Sequence, residues 1–121
     1  MSRWDEGNFD TDLAPEILLL IVFQLLKHIQ ECLDDDERDR LLCGETEVMP
    51  SLDILLTLSK AYPNIALPAL KDFPITAWKT KYLDIFEQDI DLPTDDKFRI
   101  KRRSIIQGTF SQLENLVESY V

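Results

Sequence analysis

The sequence predicts an all-α fold of about five helices. Apolar residues recur at three- and four-residue spacing in several segments, and prolines and capping residues divide these segments from one another. No segment alternates between apolar and polar residues for long enough to form a strand. With 121 residues, 45% of them hydrophobic, the chain is long enough for one domain with a modest core.

The first predicted helix follows a polar lead-in at residues 1–12 and begins at Pro15, whose fixed φ suits the first helical position. Between residues 17 and 26 only Gln24 is polar, so this helix is apolar on every side. Charged residues flank the run closely, and it is too short for a membrane span of about 20 apolar residues. The helix is therefore expected to be buried in its own domain, or shared between that domain and a partner.

A charged stretch with a single glycine breaker follows, and residues 34–49 are predicted to form a solvated connection with one helical turn at most. Ser51 is the expected N-cap of a second helix, which ends before Pro63 because the residue preceding a proline avoids the helical region. A short third helix is expected over residues 65–73, with Asn64 as its cap.

The fourth predicted helix runs from about residue 75 to 86 and presents aromatic residues at four-residue spacing, which is typical of packing into a core. The last helix is expected over residues 94–121, with Thr94 as its N-cap. Its apolar positions are predicted to be Phe98, Ile105, Leu113, Leu116 and Tyr120.

The net charge of −10 argues against nucleic acid or an anionic membrane as the main partner, since both would be repelled. The basic run at residues 97–103, "KFRIKRR", is interpreted as the exposed face of an amphipathic helix that lies against the acidic body. Acidic residues precede the first helix where a signal peptide would be basic, so an intracellular protein, cytoplasmic or nuclear, is expected.

Few residues suggest catalysis or metal binding. Cys32 and Cys43 are too few for a disulfide framework and are expected to be reduced thiols. His28 and Cys32 are one helical turn apart, which suits two zinc ligands, but a structural site needs four and only Cys43 remains. We therefore predict neither a metal nor another cofactor. A single histidine offers no base and orienter for a nucleophile, so no enzyme is predicted.

Three segments, in order, are similar to the F-box family. "LAPEILLLIVFQLL" at 13–26 resembles the family's opening, Leu-Pro-x-Glu-Ile-Leu-Leu-x-Ile-Phe-x-x-Leu. "LDILLTLSKAYPNIA" at 52–66 is similar to the second half of the motif, and "AWKTKYLDIF" at 77–86 resembles its Trp-x-x-x-Tyr ending. The resemblance spans residues 13–86, with the acidic stretch at 34–49 as an insert between the two halves.

The resemblance implies an F-box-like three-helix unit followed by the C-terminal helix. Such units dock on a Skp-type adaptor, which links them to a cullin ubiquitin ligase, so the first helix would pack inside on one face and be buried by the adaptor on the other. The substrate protein is left open. The expected partner-binding residues are Leu13, Pro15, Ile17, Leu18, Ile21, Val22, Leu25, Leu55, Leu58 and Tyr62.

Two other interpretations stay open. "SLDILLTLSK" at 51–60 has the Ser-Leu start of an elongin-C contact, although Leu56 stands where that pattern has a cysteine. Alternatively, the chain is an all-α structural fragment of a larger helical scaffold, whose apolar first helix packs on other subunits.

Overall fold

The structure, a computed structural model, describes residues 14–35, 39–88 and 96–120, and every regular element in these ranges is helical. The all-α prediction is confirmed. The predicted lead-in, Leu13 and Thr94 lie outside the described residues. The helices are α1 (Ala14–Asp34), α2 (Arg40–Cys43), α3 (Met49–Ala61), α4 (Pro63–Leu70), α5 (Ile75–Gln88) and α6 (Asp96–Ser119), with a π-helical turn (Gly44–Val48) between α2 and α3.

Helix α1 packs against α3, α4 and α5. Its buried residues recur at three- and four-residue spacing, so they form a single seam along one side of the helix. The opposite side faces solvent although it is also apolar. The buried seam consists of Leu18, Val22, Leu26, Ile29, Cys32 and Leu33.

The prediction of a solvated connection is wrong for residues 40–49, which are helical and pack into the domain. Asp39 caps α2 by accepting a hydrogen bond from the Leu42 amide at 3.1 Å. The high charge of this stretch concealed a second periodic set of apolar side chains, which alternate with the charged residues and point into the core. The core side chains contributed by this segment are Leu41, Cys43, Val48 and Met49.

The boundaries between α3 and α4 differ from the predicted ones. Ser51 is buried inside α3 instead of capping it, because the helix continues from the π-helical turn. Tyr62 leaves the helical region, with φ −134° and ψ 63°, and so ends α3 before the proline as expected. Pro63 then takes the first turn of α4, so Asn64 lies within that helix and does not cap it.

Helices α5 and α6 pack side by side and close the core. The predicted aromatic face of α5 is buried, and the rings of Tyr82 and Phe110 lie 6.4 Å apart between centroids. Helix α6 buries Leu113 and packs Leu116 and Tyr120 against the core as predicted, but Phe98 and Ile105 are exposed, and its N-terminal half does not follow the predicted stripe. Two apolar stripes of helical spacing overlap in this sequence, and contact with α3 and α5 selects one. The selected stripe is Ile106, Thr109, Phe110 and Leu113.

A polar contact ties the N-terminal half of α5 to α6. The Glu114 carboxylate accepts a hydrogen bond from the Thr76 hydroxyl at 2.6 Å and from the Lys79 ammonium at 2.9 Å. These hydrogen bonds, that of Thr76 foremost, hold the pKa of Glu114 below its usual value. The carboxylate therefore stabilises the packing of the two helices in its ionised form.

Gly44 lies where residues 40–49, which we call the acidic segment, pack closely on α5. It is buried, and a Cβ atom added to it would overlap the ring of Tyr82. A glycine is therefore required here for space. Gly108 in α6 presents the opposite case, since nothing lies within 4 Å of a Cβ built there.

We expect Glu114→Gln to flatten the pH dependence of stability in the acid range. The folded pKa of Glu114 is lowered, so its contribution is present above its unfolded pKa, about 4.3, and disappears as the pH falls through the folded pKa. Urea unfolding between pH 7 and pH 3 measures this difference. Thr76→Val removes the first hydrogen bond, so in that background Glu114→Gln should change the pH dependence less.

Gly44→Ala should destabilise the domain by about 1–3 kcal/mol, because the added methyl group overpacks against the ring of Tyr82. Gly108→Ala is the matched control. It lies within a helix with free space around it, so it should stabilise by up to about 1 kcal/mol. Urea denaturation of the two variants tests the pair, and a Gly44→Ala protein as stable as the original would show that the segment does not pack as described.

Candidate functional site

The solvent side of α1 carries an apolar face that the chain itself leaves uncovered. Ile17 is 64% exposed, Leu20 59% and Ile21 42%, at the i, i+3, i+4 spacing that places them on one side of a helix. Phe23 borders this face, and its ring lies 6.2 Å from that of Phe73 between centroids. The α1 face, as we call Ile17, Leu20, Ile21 and Phe23, lies opposite the buried seam.

The structure divides the predicted partner-binding residues that it describes into three groups. Ile17 and Ile21 are on the α1 face. Leu18, Val22 and Leu55 are buried in the core, because they point from α1 and α3 into the domain, and so a partner cannot reach them in this fold. Leu13 lies outside the described residues. The remaining four are partly buried: Pro15, Leu25, Leu58 and Tyr62.

Sequence reasoning missed Leu20, which is among the most exposed residues of the α1 face. The family pattern has an unspecified residue near this position, and Leu20 was therefore not selected. Two features of the sequence indicate that Leu20 is exposed beside Ile17. It is three residues from Ile17, and it lies opposite the seam that begins at Leu18.

A cluster of cysteine and polar side chains forms where the acidic segment meets α1. Cys32 of α1 and Cys43 of α2 are paired as a disulfide, with Cα atoms 6.2 Å apart. The expectation of two reduced thiols is therefore wrong for this structure. No feature of the sequence places Cys43 beside α1, since the sequence predicts a solvated turn at this position.

Two more polar side chains meet at the paired sulfurs. His28 Nε2 lies 3.0 Å from Glu47 Oε1 and 3.9 Å from Cys32 Sγ. Glu47 Oε2 lies 2.9 Å from Cys43 Sγ and 3.8 Å from Cys32 Sγ. The sulfurs are buried, whereas the side chains of His28 and Glu47 are 39% and 43% exposed, so the cluster opens to solvent on one side.

An ionic contact holds the other side of the same segment. Arg102 donates two hydrogen bonds to the Glu45 carboxylate, at 2.7 and 2.8 Å, and the Tyr82 hydroxyl donates a third at 2.9 Å. Burial raises the pKa of Glu45, but the hydrogen bonds from Arg102 and Tyr82 outweigh it and hold the pKa below its usual value. Burial and the charge of Glu45 raise the pKa of Tyr82. Arg102, a residue of the basic run, thus pairs with an acidic residue of the preceding segment, although its side chain is partly buried and not on an exposed face.

Among the described residues, no helix has both the length and the apolar character needed to cross a membrane. Comparison with protein-family models, curated proteins and solved structures finds no match to this chain. The features from which a function can be inferred are the α1 face, the resemblance of the sequence to F-box domains, and the cluster at Cys32 and Cys43.

Arg102→Met should cost about 1.5–3 kcal/mol of unfolding free energy, because it removes two charge-assisted hydrogen bonds and leaves Glu45 without its cation. Arg103→Met is the matched control, since the adjacent Arg103 pairs with Glu87 on the surface. Such exposed pairs contribute about 0–1 kcal/mol. Equal losses in chemical denaturation would contradict the role given to Glu45.

Proposed function

We propose that the chain is a protein-interaction module that binds a Skp-type adaptor through the α1 face, as part of the substrate receptor of a cullin ubiquitin ligase. The observation that carries the proposal is the exposure of Ile17, Leu20 and Ile21 on a helix whose other side is the core of the domain. The resemblance of residues 13–86 to F-box domains suggests the identity of the partner.

The spacing of the α1 face suits recognition of a helix by an apolar groove, where anchors at i, i+3 and i+4 enter the partner. Burying one such side chain fully is worth about 1.5–3 kcal/mol. Three or four of them can exceed the entropic cost of association and still leave a stable complex. Exposed apolar residues grouped on one element support binding better than the same residues scattered over the surface.

The core side of α1 supports the proposal by making the α1 face rigid. The seam from Leu18 to Leu33 is packed, and the pair Cys32–Cys43 fastens the C-terminal end of the helix to the next segment. A surface that is already ordered loses little conformational entropy on binding. The α1 face is therefore presented to the adaptor in the conformation it will keep.

Co-purification with a Skp-type adaptor tests the proposed partner. The chain and adaptor should elute together as a one-to-one complex of uniform mass by light scattering. Self-association of the chain with no adaptor bound would favour a different role, a piece of a larger helical scaffold whose neighbouring subunits cover α1. The F-box proposal would then be wrong.

A triple variant, Ile17→Ala, Leu20→Ala and Ile21→Ala, should weaken adaptor binding more than about a hundredfold, because each residue loses most of its buried area. Its helicity by circular dichroism and its unfolding midpoint should stay near those of the original, since all three side chains face solvent in the free chain. Isothermal titration calorimetry measures the affinity.

The matched control is Ile100→Ala with Ile105→Ala, which removes two equally exposed isoleucines from α6 and should leave adaptor affinity unchanged. Leu26→Ala in the buried seam should behave in the opposite way and cost about 2–5 kcal/mol of stability. Loss of binding in the α6 control would show that general surface hydrophobicity, and not the α1 face, holds the partner.

A further inference from the structure

We propose that the reduced chain binds one zinc ion through His28, Cys32, Cys43 and Glu47. The inference is independent of the adaptor and concerns the side of the domain where the acidic segment meets α1. It starts from the arrangement of these four residues as two pairs. His28 and Cys32 are four residues apart on α1, and Cys43 and Glu47 are four apart across the π-helical turn.

Each pair lies on one side of its helical segment, because residues four apart are neighbours on a helix surface. The wider π-helical turn, an uncommon element often found at functional sites, helps to stack Glu47 over Cys43. The two segments then bring the pairs face to face. Donor atoms of His28, Cys32 and Glu47 all lie within 4.8 Å of one another, and Cys43 Sγ adjoins both Cys32 Sγ and Glu47.

Two of the separations are close to those between the ligands of a tetrahedral ion. Zn–S bonds of about 2.3 Å and Zn–N or Zn–O bonds of about 2.0 Å place neighbouring ligand atoms roughly 3.3–3.8 Å apart. The distances from His28 Nε2 to Cys32 Sγ and from Cys32 Sγ to Glu47 Oε2 are 3.9 and 3.8 Å, whereas Cys43 Sγ lies closer to Glu47 Oε2, at 2.9 Å. To surround one centre, the two sulfurs must separate and the side chains of Cys43 and Glu47 must move apart.

The negative charge at the cluster, on Glu47 and on the cysteines once they are ionised, also favours binding of a cation. A disulfide sulfur carries no hydrogen, so Glu47 Oε2, 2.9 Å from Cys43 Sγ, receives no hydrogen bond from it. His28 can donate one hydrogen bond, to Glu47 Oε1. In the oxidised chain, the Glu47 carboxylate therefore lies against the Cys43 sulfur and accepts a hydrogen bond from His28 within the cluster. After reduction the two sulfurs can ionise, and a divalent cation then balances the negative charge of both thiolates and of the carboxylate.

The ligand set selects the metal. Two thiolates and an imidazole favour zinc over magnesium or calcium, which prefer oxygen ligands. Four protein ligands fill the tetrahedron, as in structural and not catalytic sites. Binding requires both cysteines as thiols, and their two protons leave to solvent as the ion is bound. The disulfide and the metal complex therefore exclude each other.

The experiment uses the full chain and Co²⁺ as a spectroscopic probe for zinc. The chain is first reduced with a phosphine, which takes up the oxygen of a water molecule as its oxide and leaves two thiols, and is then freed of metal with a chelator. Titration with Co²⁺ should give the visible absorption of a tetrahedral complex and the charge-transfer absorption of thiolate ligands, saturating at one ion per chain. Zinc should then displace the cobalt.

Variants identify the ligands. His28→Ala and Glu47→Gln change partly exposed side chains, and each should weaken Co²⁺ binding at least about tenfold, since losing even an outer partner of a ligand costs that much. Cys32→Ser or Cys43→Ser alone should weaken the thiolate absorption, and the double variant should abolish it. Glu31→Gln, at an exposed position of α1 outside the cluster, is the matched control and should leave binding unchanged. Circular dichroism establishes that each variant is folded.

The oxidised chain should bind no Co²⁺, because both thiolates are consumed in the disulfide. Three results would overturn the proposal: no tetrahedral spectrum from the reduced chain, equal binding by the oxidised chain, or affinities that His28→Ala and Glu47→Gln do not change.

Discussion

The close contact between Gly44 and the ring of Tyr82 is the constraint on which much of the structure depends. It allows the acidic segment to lie directly on α5. There the Glu45 carboxylate accepts hydrogen bonds from the Tyr82 hydroxyl and the Arg102 guanidinium. With the segment fixed there, Cys43 reaches Cys32. A charged stretch thereby connects three helices that are far apart in sequence.

The same arrangement gives α1 two apolar faces with different roles. One face is covered by the helices that follow it, and the other, around Ile17 and Leu20, is left to solvent. A helix buried on all sides would need a larger domain than this chain can build. The paired cysteines hold its C-terminal end, while the uncovered face lies nearer its N-terminal end. Partner binding and the proposed metal site can therefore operate without competing for the same surface.

The sequence predicted the helices well where apolar spacing and prolines agreed, as in α1 and α5. The prediction failed where a local sequence pattern favoured one structure and contacts with distant residues favoured another. Ser51 has the chemistry of a cap, yet the helix runs through it because buried residues precede it. The role of Glu47 could not be read from a run of charges, since it depends on the register of a π-helical turn and on the approach of α1. Contacts between distant segments decided both cases.

The order of the elements along the chain also has a consequence for synthesis. Helix α1 leaves the ribosome before α3, α4 and α5, whose side chains cover its seam at Val22 and Leu26. Until those residues are made, the nascent helix presents apolar side chains in every direction. Chains in this condition aggregate readily and are typical clients of chaperones. The feature that gives the finished domain a binding face thus makes the growing chain depend on protection during translation.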